Sequence, residues 1–542
     1  MDFQVKQISS LSKVYLDGKG EFFEIKKAKA LRGERFSYQI AYKSDERFLS
    51  NIKLESELEK YISIRAVGNV PSELPCYPDR ALFAERTEPG LFPDVLFPVG
   101  ESHFIKPCNW FALWVTVELP CDVAAGKYDI RVKIYKDDEE LSVSKLTLNV
   151  IDAVLPEQTL INTEWFHSDC IADYFNVPVF SEEHWTLIES FMKAFLKCGN
   201  NMILTPVFTP PLDTEIGGER TTVQLVDVKK ENGVYSFNFD KFCRWVELAK
   251  SVGIKYFEIS HLFSQWGAIA APKIMAEVDG EYKRIFGWET EAAGEEYSEF
   301  LHTFLPELIG VIEKLGIKDV TFFHVSDEPS EEQIGTYSKA KNVIADILKD
   351  FTIIDALSDY EFFEKGFIKQ PIPATSCIEE FIEKGFENRW TYYCCGQGED
   401  LSNRFFGMPL SATRILGTQL YIHEIKGFLQ WGFNFYNSAK SLRHISPYEV
   451  TDADCAFPSG DAFLVYPYDN GAIMSVRGEV IFESLQDMRA MQLLETLVGR
   501  EKILKKLDKK FGDIKFRFYP RGTEAMLAIR ETVNDMIAKN IK

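Results

Sequence analysis

"FDKFCRWVELAKSVGIKYFEIS", Phe239 to Ser260, holds a complete structural phrase. Its first half has helical spacing and stops near Gly253. Its second half, Ile254 to Ser260, reads as a short apolar strand. The phrase recurs on both sides. "SEEHWTLIESFMKAFLKCG" (181–199) puts Trp185, Ile188, Met192, Phe195 and Leu196 on one helical face, with Ser181 as N-cap and Gly199 as stop, and "NNMILTPV" (200–207) follows as a strand. "EEYSEFLHTFLPELIGVIEKLG" (295–316) is a helix ending near Gly316, followed by "KDVTFFHVS" (318–326). Three helix–Gly–strand units predict parallel strands joined by helical crossovers.

Such units fit either a (β/α)8 barrel or an open doubly wound sheet. Two features favour the barrel. The stretch from 157 to 470 is long enough for eight units with loop insertions. The first strand, in "TLINTEWFH" (159–167), is not followed by a Gly-rich dinucleotide fingerprint. "TYYCCG" (391–396) and "GFLQWGFNFY" (427–436) are candidates for the last two strands, with "SATRILGTQLYIHEI" (411–425) read as the helix between them.

The first 150 residues have a different grammar. "WFALWVTVELP" (110–120) and "GKYDIRVKIY" (126–135) read as strands joined by a turn at Ala125–Gly126. "SVSKLTLNVIDAVLP" (142–156) sets Leu146, Leu148 and Val150 on one face. Short alternating strands with Pro/Gly punctuation predict a β-sandwich. The fold expected is therefore a multidomain β plus α/β chain: a β-sandwich over 1–155, a TIM-like barrel over 156–470, and a helical extension over 471–542 packed on the barrel. That extension should carry helices near 480–498 and 523–539 and a short strand at "DIKFRFYP" (513–520).

The chain has 542 residues, 46% hydrophobic and 14% aromatic, enough to build more than one core. Its formal charge of -21, without a long Lys/Arg block, argues against nucleic acid as a partner. No apolar run approaches a membrane span, and "MDFQVKQISS" lacks the pattern of a secretory leader, so the expected location is cytoplasmic. Ten scattered cysteines, with Cys394–Cys395 the only close pair, read as reduced thiols. With no HExxH motif, no HxH motif and dispersed histidines, neither a metal nor a cofactor is expected.

In a (β/α)8 barrel the active site lies at the C-terminal strand ends. "TFFHVSDEPSEEQ" (321–333) ends a strand and enters a helix whose start is a capping box, Ser330 with Gln333. Asp327 and Glu328 are then left side by side at the rim. Acidic residues before a helix are ordinary turn and dipole chemistry. That reading leaves unexplained why two acids occur where Ser330 already caps. A glycosidase that uses an enzyme nucleophile needs its two carboxylates about 5 Å or more apart across the scissile bond. Neighbours can share one site only with different tasks: one protonates the leaving oxygen, the other holds a group of the substrate that itself acts as nucleophile. Other strand ends carry sugar-binding residue types: Glu164, Trp165, His167 and Asp169 in "TEWFHSD", Trp266 in "HLFSQWGA", Tyr392 and Tyr393 in "TYYCCG", and Trp431 and Asn434 in "GFLQWGFNFYN". Any single aromatic is more often core than ligand.

"FHVSDEP" (323–329), "TPVFTPPLDT" (205–214), "ISHLFSQWGA" (259–268), "FGWET" (286–290) and "GFLQWGFNFY", with "PGLFPDVLFP" (89–98) in the sandwich, resemble glycoside hydrolase family 123. The resemblance implies a sandwich followed by a catalytic barrel. It implies a retaining β-N-acetylgalactosaminidase that works through the substrate's acetamido group on a glycan, oligosaccharide or glycolipid. Carried over by position, Glu328 is the general acid and then base, and Asp327 orients the acetamido group. The alternatives are another 2-acetamido hexose or a non-catalytic carbohydrate-binding barrel.

Overall fold

The computed structural model describes residues 2–327 and 331–541. The N-terminal region is a sandwich of two five-stranded sheets. One runs, in spatial order, Phe3–Ser9, Arg35–Ser44, Trp110–Glu118, Ile62–Ser72 and Gly90–Pro98, all antiparallel. The other runs Lys27–Arg32, Glu139–Val154, Gly126–Lys136, Phe48–Glu55 and Ser102–Ile105, antiparallel except for its first pair. Two-residue alternation divides the first sheet cleanly. Tyr38, Ile40, Leu113 and Val115 meet Ile130, Val132, Leu146 and Leu148 of the second sheet. The intervening Ala41, Ala112 and Trp114 join the core that continues into the rest of the molecule. The first sheet is thus buried on both faces, and the sandwich is fused to the C-terminal two-thirds of the chain rather than tethered to it.

Eight parallel strands form the barrel: β1 (Ile161–Glu164), β2 (Met202–Thr205), β3 (Tyr256–Ile259), β4 (Thr321–Phe323), β5 (Thr352–Ala356), β6 (Gln370–Ile372), β7 (Trp390–Tyr392) and β8 (Gly427–Gln430). Their order is β6-β5-β4-β3-β2-β1-β8-β7, and a parallel bridge between Ala374 and Tyr392 closes the ring. The strands are short and apolar on both sides, as parallel strands covered by helices must be. Met202, Leu204, Ile354, Trp390 and Leu429 fill the interior. Ile203, Phe257, Ile259, Phe323 and Phe428 face outward, under the helices. The helix Glu182–Lys197 begins where Ser181 accepts the His184 N–H at 3.2 Å. Gly199 and Gly253, at φ +89° and +108°, end their helices in a conformation that costs other residues a Cβ clash.

Three details after residue 400 differ from expectation. The helix read over 411–425 is two segments, Leu410–Arg414 and Leu416–Ile422. Near their junction Gly417 lies so close to the helix Val476–Val498 that a Cβ would stand 1.8 Å from the Ser484 carbonyl. A further helix, Arg500–Phe511, precedes Thr523–Asn540. "DIKFRFYP" forms no strand: the Gln419 amide takes the carbonyls of Lys515 and Phe516 at 2.9 and 3.2 Å, and the Lys515 N–H turns back to Phe518 O at 2.6 Å. These backbone groups are taken by a side chain and by a tight turn rather than by a neighbouring strand.

The helix Val476–Val498 is buried along most of its length because it sits between sandwich and barrel. Arg477 clamps Asp94 of the sandwich with two bonds of 2.9 Å, Arg65 reaches Glu479 at 2.7 Å, and Arg414 holds Asp487 at 2.6 Å from the barrel side. It packs on both units, not on the barrel alone. No helix among the described residues is long and apolar enough to cross a membrane.

Candidate active site

At the C-terminal ends of the strands the described residues enclose a cleft of about 120 Å³. Its walls are Trp165, Trp266, Tyr392, Trp431 and Phe457, with Leu212, Asp213, Gln265, Asp327, Cys394 and Cys395 between them. Larger grooves exist: about 560 Å³ beside the outer sheet built from Asp227–Glu231, Val234–Asn238, Ile274–Val278 and Glu281–Phe286, and about 670 Å³ on the sandwich. Neither is lined by the end of a barrel strand. Position, not volume, singles out the smaller cleft.

Asp327 lies four residues past the end of β4. Its Oδ2 accepts from Gln265 Nε2 at 3.0 Å and its carbonyl accepts the Trp266 N–H at 3.1 Å. The preceding Ser326 donates to Ser264 O at 2.8 Å and accepts the Ala268 N–H at 3.2 Å. The loop after β3 is therefore laced to the end of β4. Lacing it requires an unusual backbone: Trp266, Gly267 and Ala268 stand at φ +55°, +101° and +53°. A Cβ at Gly267 would also meet the Gln333 side chain at 2.7 Å. The Gln265 carbonyl oxygen accepts the Asp213 N–H, so one amide spans two loops. Asp213 is itself at φ +40°, its carboxylate takes the Lys440 N–H at 2.9 Å, and burial raises its pKa. Backbone strain of this sort concentrates at functional sites.

The aromatic walls are anchored by their polar ends. Trp165 Nε1 donates to Glu258 Oε1 and Trp431 Nε1 donates to Asp461 Oδ2, each at 2.8 Å. Trp431 is also held edge-on by Phe435 and Phe457, with centroids 5.0 and 5.2 Å away. Burial lifts Asp461 to about 6, against the pull of Arg404 and the indole N–H. Fixed aromatic planes with a few placed polar groups are what a sugar face requires.

Of the residues nominated from sequence, Asp327, Trp165, Trp266, Tyr392 and Trp431 come together in this cleft, whereas Glu164 is buried against Arg404 at 2.9 Å. Glu328, Pro329 and Ser330 lie outside the described residues, and with them the proposed acid and the capping box. The next elements are a 3₁₀ turn, Glu331–Gln333, and the helix Ile334–Ile344. His167, Asp169, Asn434 and Tyr393 do not line the cleft. His167 bonds Trp431 O at 2.9 Å and Arg220 at 3.1 Å, and burial, with the Arg220 charge, lowers it to about 3. Asp169 is buried in a two-pronged pair with Arg220, both bonds 2.8 Å. Asn434 spans the His167 backbone, accepting its N–H at 2.8 Å and donating to its carbonyl at 3.0 Å. His167 and Asn434 fasten the segment after β1 to the loop after β8, and Asp169 fastens it to Arg220 in the loop after β2. Tyr393 faces outward against Phe428, at 5.0 Å between centroids. Its neighbour Tyr392 faces the cleft, as the alternation from Trp390 dictates. Asp213, Gln265, Phe457 and the two cysteines were not nominated. Gln265 adjoins Trp266 and could have been found from that adjacency. Phe457 comes from a distant loop with no local signal.

Comparison with known proteins agrees with this geometry. The family model described as glycoside hydrolase 123, catalytic domain, matches residues 165–494. A family 123 glycoside hydrolase from Clostridium perfringens, studied for glycolipid glycan hydrolysis, superposes with a TM-score of 0.74 at 16% identity, over 99% of this chain and 98% of its own. A family 39 glycoside hydrolase from Bacteroides cellulosilyticus reaches 0.33 at 9% identity, over 85% of this chain and 81% of its own. No curated protein sequence matches the chain. The match over 165–494 begins with a cleft residue, Trp165, and takes in the whole rim: the chain belongs to glycoside hydrolase family 123.

Proposed function

We propose that the protein is a retaining glycosidase that releases β-linked N-acetylgalactosamine, with the substrate's own acetamido group as nucleophile. The observation that carries this reading is the Asp327 carboxylate, held by Gln265 in an aromatic-walled cleft at the barrel rim. Asp327 grips the acetamido N–H and faces the positive charge that develops as the ring closes to an oxazolinium-like intermediate. Glu328, the next residue, gives its proton to the leaving oxygen and then activates water. Residues this close in sequence suit a division between acid and orienting group better than a pair flanking the bond, which must stand about 5 Å or more apart. Two neighbouring carboxyls also disfavour double ionisation, which helps keep one protonated and one charged. The similarity to an enzyme of glycolipid glycans supports a glycolipid or oligosaccharide substrate.

The test is a panel of aryl β-glycosides with and without the 2-acetamido group, in the galacto and gluco series, with a thiazoline analogue as inhibitor. Cleavage should require the acetamido group, favour the galacto epimer and be blocked by the thiazoline. Glu328→Gln should nearly abolish turnover of a poor leaving group, and Asp327→Asn should impair all acetamido substrates. Indifference to the acetamido group would overturn the mechanism; a gluco preference would overturn only the sugar. Calorimetric binding of these sugars without turnover would favour the carbohydrate-binding alternative.

A further inference from the structure

Beneath the cleft lies a chain of ionisable groups that reaches no solvent. Glu258 of β3, His324 just past β4 and Asp355 of β5 are all 0% exposed. His324 Nε2 is hydrogen-bonded to Glu258 Oε1 and its Nδ1 stands 3.2 Å from Asp355 Oδ1. Each carboxylate has other work. Glu258 accepts from Trp165 Nε1 and Thr163 Oγ1, both at 2.8 Å. Asp355 accepts the Val325 N–H at 3.0 Å and the Tyr337 hydroxyl at 2.6 Å. One end of the chain therefore grips a wall of the cleft, and the other grips the backbone two residues before Asp327.

We propose that Glu258, His324 and Asp355 form a positioning triad that fixes Trp165 and the strand end bearing Asp327 as one unit. Buried ionic groups are poor stabilisers, since apolar replacements of equal volume are often as good, but a fully bonded network allows only one geometry. This network ties β3 and β5 to the ends of β1 and β4: Glu258 takes two bonds from Thr163 and Trp165, and Asp355 bonds both His324 and the Val325 N–H. The charge state agrees with the geometry: burial would depress His324, but Glu258 and Asp355 outweigh it and hold it up at about 9. The other groups facing the imidazole are the Trp165 ring and His261, stacked on it at 4.2 Å and kept neutral by burial and by the His324 charge. Behind Asp355 stand the Tyr337 hydroxyl and, on the same helix, the Lys341 charge. These three residues touch no substrate atom in this scheme; they act through Trp165 and Asp327. The proposal rests on the sugar-cleavage reading only for its kinetic arm.

The decisive measurement needs no substrate. In protein labelled with ¹⁵N in the tryptophan indoles, the Trp165 N–H is assigned by its loss in Trp165→Phe. It should titrate in the wild type as His324 loses its proton near 9, and the same titration should move to lower pH in Asp355→Asn, which removes an anion from the imidazolium. An indole signal that keeps its wild-type titration in folded Asp355→Asn would overturn the triad. In the kinetic arm, Glu258→Gln and Trp165→Phe should each reduce kcat/KM by on the order of 10- to 100-fold, as expected for misplaced groups around a reacting centre. The double variant should be little worse than either single one. Full additivity would show that the two residues act separately and would also overturn the proposal. Should Asp355→Asn fail to fold, Glu258→Gln serves for the same titration, and an unmoved titration there counts equally against it. If the panel of sugars fails while the indole titration behaves as described, the proposed function is wrong and the triad stands.

Discussion

Replacing Gln265 by methionine removes a hydrogen bond that Asp327 accepts. The two side chains are each 8% exposed, and Gln265 Nε2 lies 3.0 Å from Asp327 Oδ2. A hydrogen bond to a charged group with little access to water contributes about 1.5–3 kcal/mol. Converted at 1.36 kcal/mol per decade, that is a loss of roughly 10- to 150-fold if Asp327 must be held to act. The loss should fall mainly on kcat, because the orientation of the carboxylate matters most as charge develops at the acetamido group. Gln265→Glu asks the converse question. It keeps the shape but sets an anion beside Asp327, and like charges make the second ionisation harder. Activity that depends on ionised Asp327 falls as pH drops through that carboxyl's pKa. Raising the pKa moves this acidic limb to higher pH, by on the order of 1–3 units for charges about 4 Å apart in a partly screened site. Both variants are assayed for kcat and KM from pH 4 to 8 on an aryl 2-acetamido glycoside, with thermal unfolding alongside, because Gln265 also accepts the Asp213 N–H. If both variants fold and both keep kcat within twofold with an unmoved acidic limb, Gln265 does not position Asp327, and the role given to Asp327 loses its structural support.

The neighbouring contacts set three further outcomes. Asp169→Asn leaves the Arg220 guanidinium buried without its anion, which should cost about 3–5 kcal/mol in urea unfolding, while folded protein keeps a near-native KM; a large rise in KM with unchanged stability would return Asp169 to the substrate. His167, held down at about 3 by burial and Arg220, contributes stability that is complete above its unfolded pKa and is lost as pH falls toward 3. Relative to His167→Gln, the wild type should therefore lose about 1.4 kcal/mol per pH unit on acidification below roughly 6.5, and a pH-independent difference between the two would contradict the buried neutral imidazole. Cys394 and Cys395 line the cleft, so alkylation by a maleimide should inactivate the enzyme, a competitive sugar should protect it, and the double serine variant should resist; inactivation unaffected by the competitor would place the reacting thiol elsewhere.

What the chain discloses by itself is set by how far its interactions reach. The helix–Gly–strand phrase is local: Gly253 stops a helix at φ +108° because only its own backbone must comply, and Phe257 and Ile259 turn outward by simple alternation from Tyr256 and Glu258. The same alternation, carried along from Trp390, selects Tyr392 over Tyr393 for the cleft, so that choice was open to sequence reasoning. "DIKFRFYP" shows the limit of pattern: Ile514 and Phe516 are buried as an alternating strand would have them, yet Gln419, nearly a hundred positions away, takes the carbonyls a neighbouring strand would need. The site residues divide in the same way. His167, Asp169 and Asn434 have the polar types that bind sugars and stand at the expected strand ends, but Arg220, which lies in a loop far down the chain, consumes the Asp169 carboxylate and one nitrogen of His167. A carboxylate at a barrel rim is available to a substrate only if no internal cation reaches it first. The nearest sequence neighbours cannot reveal that cation when it arrives from another loop. The bond that Asp327 accepts from Gln265 comes from an amide, which orients a carboxylate without adding a charge of its own, and an oriented negative charge is what a developing cation demands.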